Sequence, residues 1–255
     1  MNKRIKINIL TYIILNLLVI KCLLLQILNN NWSNIFLCLL TLLLFFIVKS
    51  MNKTLNIEIS IFLEVIVYLF IYSSIILGEV YNFFNLIYYW DTILHTITGF
   101  ISAAFGYSLI YILNNNINKY IKPIFAFIVS ISFSMLIGIF WEFIEFSIDH
   151  YLTKDMQKDQ IITKISSVKL NPQLENKGIL ITDINKTIIY SNNKNIIVIN
   201  GGYLDIGLVD TIKDLFVNFL GALVFSILIC LHIRNNNYKF IEQFMLKLNS
   251  KTQMN

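Results

Sequence analysis

Six stretches of this chain are apolar over about the length a helix needs to cross a bilayer. They fall at residues 9–28, 32–48, 57–77, 92–113, 123–148 and 208–233. A membrane-crossing helix takes roughly 17–25 residues, and only helices or closed barrels satisfy their backbone polar groups inside hydrocarbon. The stretches are continuously apolar rather than alternating. The expected fold is therefore an all-α membrane protein, a bundle of about six transmembrane helices embedded in the lipid bilayer. Composition agrees: 56% of residues are hydrophobic and 14% are charged, against about 25% charged in soluble domains. Nothing in the charge pattern calls for a nucleic-acid partner. The first stretch follows Lys3, Arg4 and Lys6, but it is too long for a signal-peptide core and lacks a small-residue cleavage site, so it reads as a retained helix.

Orientation follows from where lysine and arginine sit in the short connections. They occur at the N-terminus, after the second stretch (Lys49, Lys53), after the fourth (Lys119, Lys122) and in the tail (Arg234, Lys239, Lys247, Lys251). The connections 29–31 and 78–89 have none. Both termini are expected in the cytoplasm, with residues 150–207 outside. A loop of that length is largely exempt from the rule despite its seven lysines. Spans one to five then occupy 1–149, followed by the outer loop at 150–207, span six at 208–233 and an amphipathic cytoplasmic tail at 234–255. The loop's β-favouring runs at 178–182, 187–190 and 196–199 predict a small unit of two or three strands. Tyr238, Ile241, Met245 and Leu248 recur at helical spacing, which predicts an interfacial helix. Cys22, Cys38 and Cys230 lie inside apolar stretches without metal-ligand spacing and read as buried small residues.

Ionisable residues interrupt three of the spans. Asp91 and His95 open the fourth, Glu142, Glu145 and Asp149 end the fifth, and Asp210, Asp214 and Asn218 open the sixth. On the expected topology all of them lie toward the outer leaflet. At about 100° per residue, Glu142, Glu145 and Asp149 share an arc of roughly 60°, and Asp210, Asp214 and Asn218 share one of about 80°. Gly138 falls on the Glu142 face and Gly221 on the Asp214–Asn218 face, where small residues allow close helix approach. Lys21 lies about 10 Å below the outer end of span one, at 1.5 Å per residue, and is expected either to snorkel or to pair with a carboxylate. Charged groups inside a membrane are costly and usually functional. Six carboxylates facing at most Lys21, Lys213 and His95 cannot all stay ionised in a low dielectric. Protonation, or a divalent metal ion held by His95, Glu142 and Asp214, would resolve the imbalance. Asp91, Asp149 and Asp210 have a structural alternative as helix-end residues. Glu64, deeper in span three, is expected to find a local helix partner.

Three motifs, Trp90-Asp91-Thr-Ile-Leu-His95-Thr-Ile-Thr-Gly99-Phe100, Trp141-Glu142-Phe-Ile-Glu145 and Asp210-Thr-Ile-Lys-Asp214-Leu-Phe-Val-Asn218-Phe-Leu-Gly221-Ala222, resemble a family of bacterial polytopic membrane proteins of the YjdF type. They are more distantly similar to VanZ-like proteins. The resemblance covers residues 91–222 and implies an inner-membrane protein with a shared acidic and histidine site. The VanZ likeness implies a cell-envelope substrate. The chain has no Ser-His-Asp elbow, P-loop or cysteine nucleophile pattern. Three function classes stay open. The first is an enzyme acting on a lipid or lipid-linked envelope precursor, with His95, Glu142, Glu145 and Asp214 as acid–base groups and Lys21, Asp91, Asp210 and Asn218 as substrate-binding residues. The second is an ion-coupled small transporter, which needs a polar path to the inner side. The third is an accessory membrane protein.

Overall fold

A computed structural model describes residues 3–54, 57–113, 121–173, 175–192, 196–235 and 241–248. Lys119, Tyr238, Lys239, Lys251 and residues 193–195 of the loop lie outside them. The described helices are α1 (Lys3–Leu28), α2 (Trp32–Thr54), α3 (Ile61–Ile71), short α4 (Phe83–Leu86), α5 (Trp90–Leu113), α6 (Pro123–Leu152) and α7 (Leu208–Asn235). Six segments among them are long and apolar enough to cross a membrane: Ile7–Leu28, Trp32–Met51, Ile61–Val80, Trp90–Ile110, Pro123–Leu152 and Leu208–Arg234. The all-α membrane bundle is thus the observed fold. Along α1, Leu10, Leu17 and Leu24 repeat every seven residues and are each more than half exposed, as a lipid-facing stripe requires. The third span carries a departure from α geometry, because α3 continues into a π-helical segment, Tyr72–Val80.

The chain divides into two compact units, Met1–Gly138 with Leu215–Asn255, and Ile139–Asp214. The first unit has two main apolar clusters. One joins α1, α2 and the third span through Leu15, Val19, Cys22, Cys38, Phe45, Tyr68 and Ile76. There the Cys22 and Cys38 thiols touch at 3.8 Å, packed as buried small residues. Glu64 is buried within this unit and accepts hydrogen bonds from Tyr68 Oη one turn on (2.8 Å) and from Asn8 Nδ2 of α1 (2.6 Å). The other cluster joins α5, the early part of α6 and α7 through Ala103, Ala104, Ala126, Ala222, Phe225 and Ile229.

The described part of the tail, 241–248, departs from the expected interfacial helix. It forms a 3-10 turn (Ile241–Gln243) and a strand, β8 (Leu246–Leu248), antiparallel to β1 (Ile57–Ile59) with Ile59 opposite Leu246. Two forces outweigh helical spacing here. Ile241, Phe244, Met245 and Leu246 are all buried, and no amphipathic helix hides such a run. β1 also presents a strand edge whose backbone groups need partners. Phe244 stacks edge-on against Phe62 and Phe100, Leu246 N donates to Ser108 Oγ (3.0 Å), and Ser60 Oγ donates to Gln243 O. This pairing also explains why the third span begins at Ile61 rather than at 57.

The second unit contains the end of α6, the start of α7 and three antiparallel strand pairs. β2 (Gln160–Ile162) pairs with β7 (Tyr203–Asp205), β3 (Ile165–Ser167) with β4 (Ile179–Ile181), and β5 (Lys186–Tyr190) with β6 (Ile196–Asn200). β4, β5 and β6 fall on the expected β-favouring runs. β2, β3 and β7 are three residues each, too short for an alternation pattern to reveal. Gly207, at φ +94°, turns the chain into α7, and a Cβ there would stand 2.6 Å from Gln157 Cβ.

Candidate functional site

In the first unit, Asp91 and His95 stand one helical turn apart at the start of α5. His95 Nε2 is 3.5 Å from Asp91 Oδ1, and His95 is buried. Lys21 is exposed on α1. Asn218 is fully buried and links three helices. Its Nδ2 donates to Ser134 O (3.3 Å) and lies 3.4 Å from Ser134 Oγ, which in turn donates to Gly99 O on α5 (2.9 Å). This network depends on glycine. A Cβ at Gly99 would stand 2.0 Å from Asn218 O, and one at Gly138 would stand 2.9 Å from Asn218 Nδ2.

In the second unit, four carboxylate residues are almost wholly buried: Glu142 5%, Glu145 6%, Asp210 3% and Asp214 1% exposed. Their local roles differ. Glu145 Oε1 accepts from Trp141 Nε1 (2.7 Å), an i,i+4 pair in the C-terminal part of α6. Asp210 Oδ2 accepts from the backbone N–H of Lys158 (2.9 Å). Asp149 is more exposed and accepts from the N–H groups of Met156 (2.6 Å) and Gln157 (2.7 Å). Gln157 Nε2 donates to Thr211 Oγ1 (2.6 Å), and Asp205 Oδ2 accepts from Val209 N (2.8 Å) at the start of α7. Asp149 and Asp210 thus fasten the loop between α6 and α7 to the helix ends, the structural use open to them.

Sequence reasoning missed Trp141, Gln157 and Asp205. The Trp141–Glu145 spacing was available as a signal. Asp205, three residues before the first residue of α7, had a capping signature. The partnership of Gln157 with Thr211, 54 residues away, had none.

The loop also holds a titrating group. Asp159 is kept above the usual carboxylate pKa first by desolvation and then by the charges of Asp155, Asp149 and Asp205. A carboxyl whose folded value is raised contributes its full stability below its unfolded value and loses it as pH rises through the folded value. The second unit is expected to be less stable at neutral than at mildly acidic pH on this account, and Asp159→Asn should flatten that slope. Amide exchange at Gln160–Ile162, followed across the acid range, checks this. Identical pH slopes in both proteins would remove Asp159 as the cause.

A family model described as a predicted membrane protein (DUF2238) matches residues 10–235. No curated protein and no solved structure matches the chain.

Proposed function

The chain belongs to this family of predicted membrane proteins, and we propose that its buried acidic and histidine residues serve acid–base or metal-assisted chemistry on a lipid or lipid-linked envelope precursor at the outer leaflet. The observation that carries the reading is the burial of Glu142, Glu145, Asp210 and Asp214 at the membrane-spanning helix ends of one unit. Polar contacts between membrane helices contribute only about 0.6–2 kcal/mol each, a small return for four desolvated carboxylates. In the first unit, the Asp91–His95 pair supports the same chemistry. A carboxylate 3.5 Å from an imidazole orients the ring, which suits an acid–base group.

In this reading His95, Glu142, Glu145 and Asp214 exchange protons with the substrate, while Asp91, Asp210, Asn218 and Lys21 orient it. Imidazole and carboxylate oxygens are also the donor types that Mg²⁺, Mn²⁺ or Zn²⁺ accept. Basic short connections support an inner membrane with both termini cytoplasmic. The VanZ likeness supports an envelope substrate.

The test uses purified protein in liposomes made from a bacterial envelope lipid extract, with lipids followed by mass spectrometry. The wild type is expected to convert one lipid class. His95→Ala and Glu142→Gln should slow that conversion by about 10²–10⁴-fold, the usual contribution of a positioned acid or base. Variants that fold normally and convert at the wild-type rate would end this reading. Metal analysis of the same preparations separates the two chemistries: a bound ion lost in Asp214→Asn selects the metal-assisted one.

A further inference from the structure

Among the polar side-chain atoms buried without a hydrogen-bond partner in the membrane-spanning part of the first unit are Asn218 Oδ1, Ser130 Oγ and Ser226 Oγ. All three residues are 0% exposed. Buried polar atoms in native proteins are almost always paired, with protein or with ordered water. A helical serine has an easy escape in the carbonyl four residues back, as Ser108 shows by donating to Ala104 O at 2.7 Å. Ser130 and Ser226 do not take it.

Their heights are regular. Within this unit α6 and α7 run antiparallel. Gly138 faces Leu215 and Asn218, Ser134 meets Asn218, and Cys230 Sγ lies 3.3 Å from Pro123 O. On that register Ser130 lies about 6 Å from the Asn218 level toward the Pro123–Cys230 end, and Ser226 about 12 Å, at 1.5 Å per residue. A step of about 6 Å is what one water bridges with two hydrogen bonds of ~2.8 Å. The residues one turn back from the two serines, Ala126 and Ala222, are small and buried.

We propose that this stretch of the first unit holds a file of ordered water running from Asn218 past Ser130 to Ser226, toward the Pro123–Cys230 end. The ligand is water, and with it a hydrated proton. Each water finds the two or more polar partners it needs in the orphaned side-chain atoms and in neighbouring waters. On the topology proposed above that end faces the cytoplasm, so the file supplies the inward polar path that the span sequences, with only scattered serines, did not reveal. The file itself does not depend on the acidic residues. Inactive or unaffected carboxylate variants leave it standing.

Water-edited solid-state NMR of the full chain in lipid bilayers tests it. Magnetisation from water is expected to reach Ser130 and Ser226 severalfold faster than Ala103 and Ala104, which are equally buried. Equal build-up at serines and alanines in the wild type overturns the proposal, and this readout needs no variant to fold. Combining Ser130→Ala with Ser226→Ala is expected to slow the build-up at Asn218 severalfold. If the serines are reached but Asn218 is unchanged in that variant, the waters are isolated and the continuous file is overturned.

Discussion

Gly221→Val is expected to leave little folded protein. A Cβ at 221 would stand 2.0 Å from Thr96 O, and the opposing contact has the same form, with a Cβ at Gly99 standing 2.0 Å from Asn218 O. In both cases the obstacle is a helix backbone carbonyl, which cannot rotate away as a side chain can. α5 and α7 would have to separate, opening the cluster that includes Ala103, Ala222 and Phe225. Overpacking a well-packed core usually costs about 1–3 kcal/mol, occasionally more, and a clash of backbone with backbone belongs at the upper end. That is a large share of the roughly 5–15 kcal/mol that holds a typical domain together. Thermal unfolding and the monodisperse yield in detergent report the loss. Gly178→Ala is the comparison, because its nearest obstacle is the Ser166 hydroxyl at 3.3 Å, which can turn aside. Equal melting of the two variants would show that the close approach of α5 and α7 does not limit stability.

Asp149→Ala is expected to loosen the start of the outer loop. Two backbone N–H groups, of Met156 and Gln157, converge on one carboxylate at 2.6 and 2.7 Å. Hydrogen bonds to a charged acceptor contribute about 1.5–3 kcal/mol each, and unsatisfied buried donors cost about 1–3 kcal/mol. Asp149 is only half-buried, so water compensates in part and a loss of about 1–3 kcal/mol is expected. The loss should be local. Amide protection at Met156 and Gln157 should collapse, while Leu15, Phe45 and Tyr68 in the first unit stay protected. Asp149→Asn keeps one acceptor and should fall between. Unchanged exchange at Met156 would mean that the carboxylate does not hold the turn.

The presence of six spans was legible because hydrocarbon imposes a length and a continuity that sequence displays directly. The start of the third span explains the limit. Ile57 and Ile59 are as apolar as any span residue, but they pair with Leu248 and Leu246, almost the whole chain away. Nothing local marks that choice. The same holds for the tail, where helical spacing of Ile241 and Met245 concealed residues buried on every side. In the candidate site, residue type and helical phase picked out Glu142, Glu145, Asp210 and Asp214, all of which are buried. What they could not reveal was which carboxylates hold backbone. Asp149 and Asp210 bond N–H groups of residues 156–158, and backbone donors carry no sequence signature.

The pairing of β8 with β1 bears on biosynthesis. Residues 57–59 are made well before their partners at 246–248, with three further spans, Trp90–Ile110, Pro123–Leu152 and Leu208–Arg234, between them. Until 241–248 emerge, the β1 edge, Ser60 and the Ser108 hydroxyl lack the segment that engages them. The β1–β8 pair therefore forms only after all six described spans have been synthesised. A substitution within 241–248 acts on that closing step rather than on the insertion of the helices.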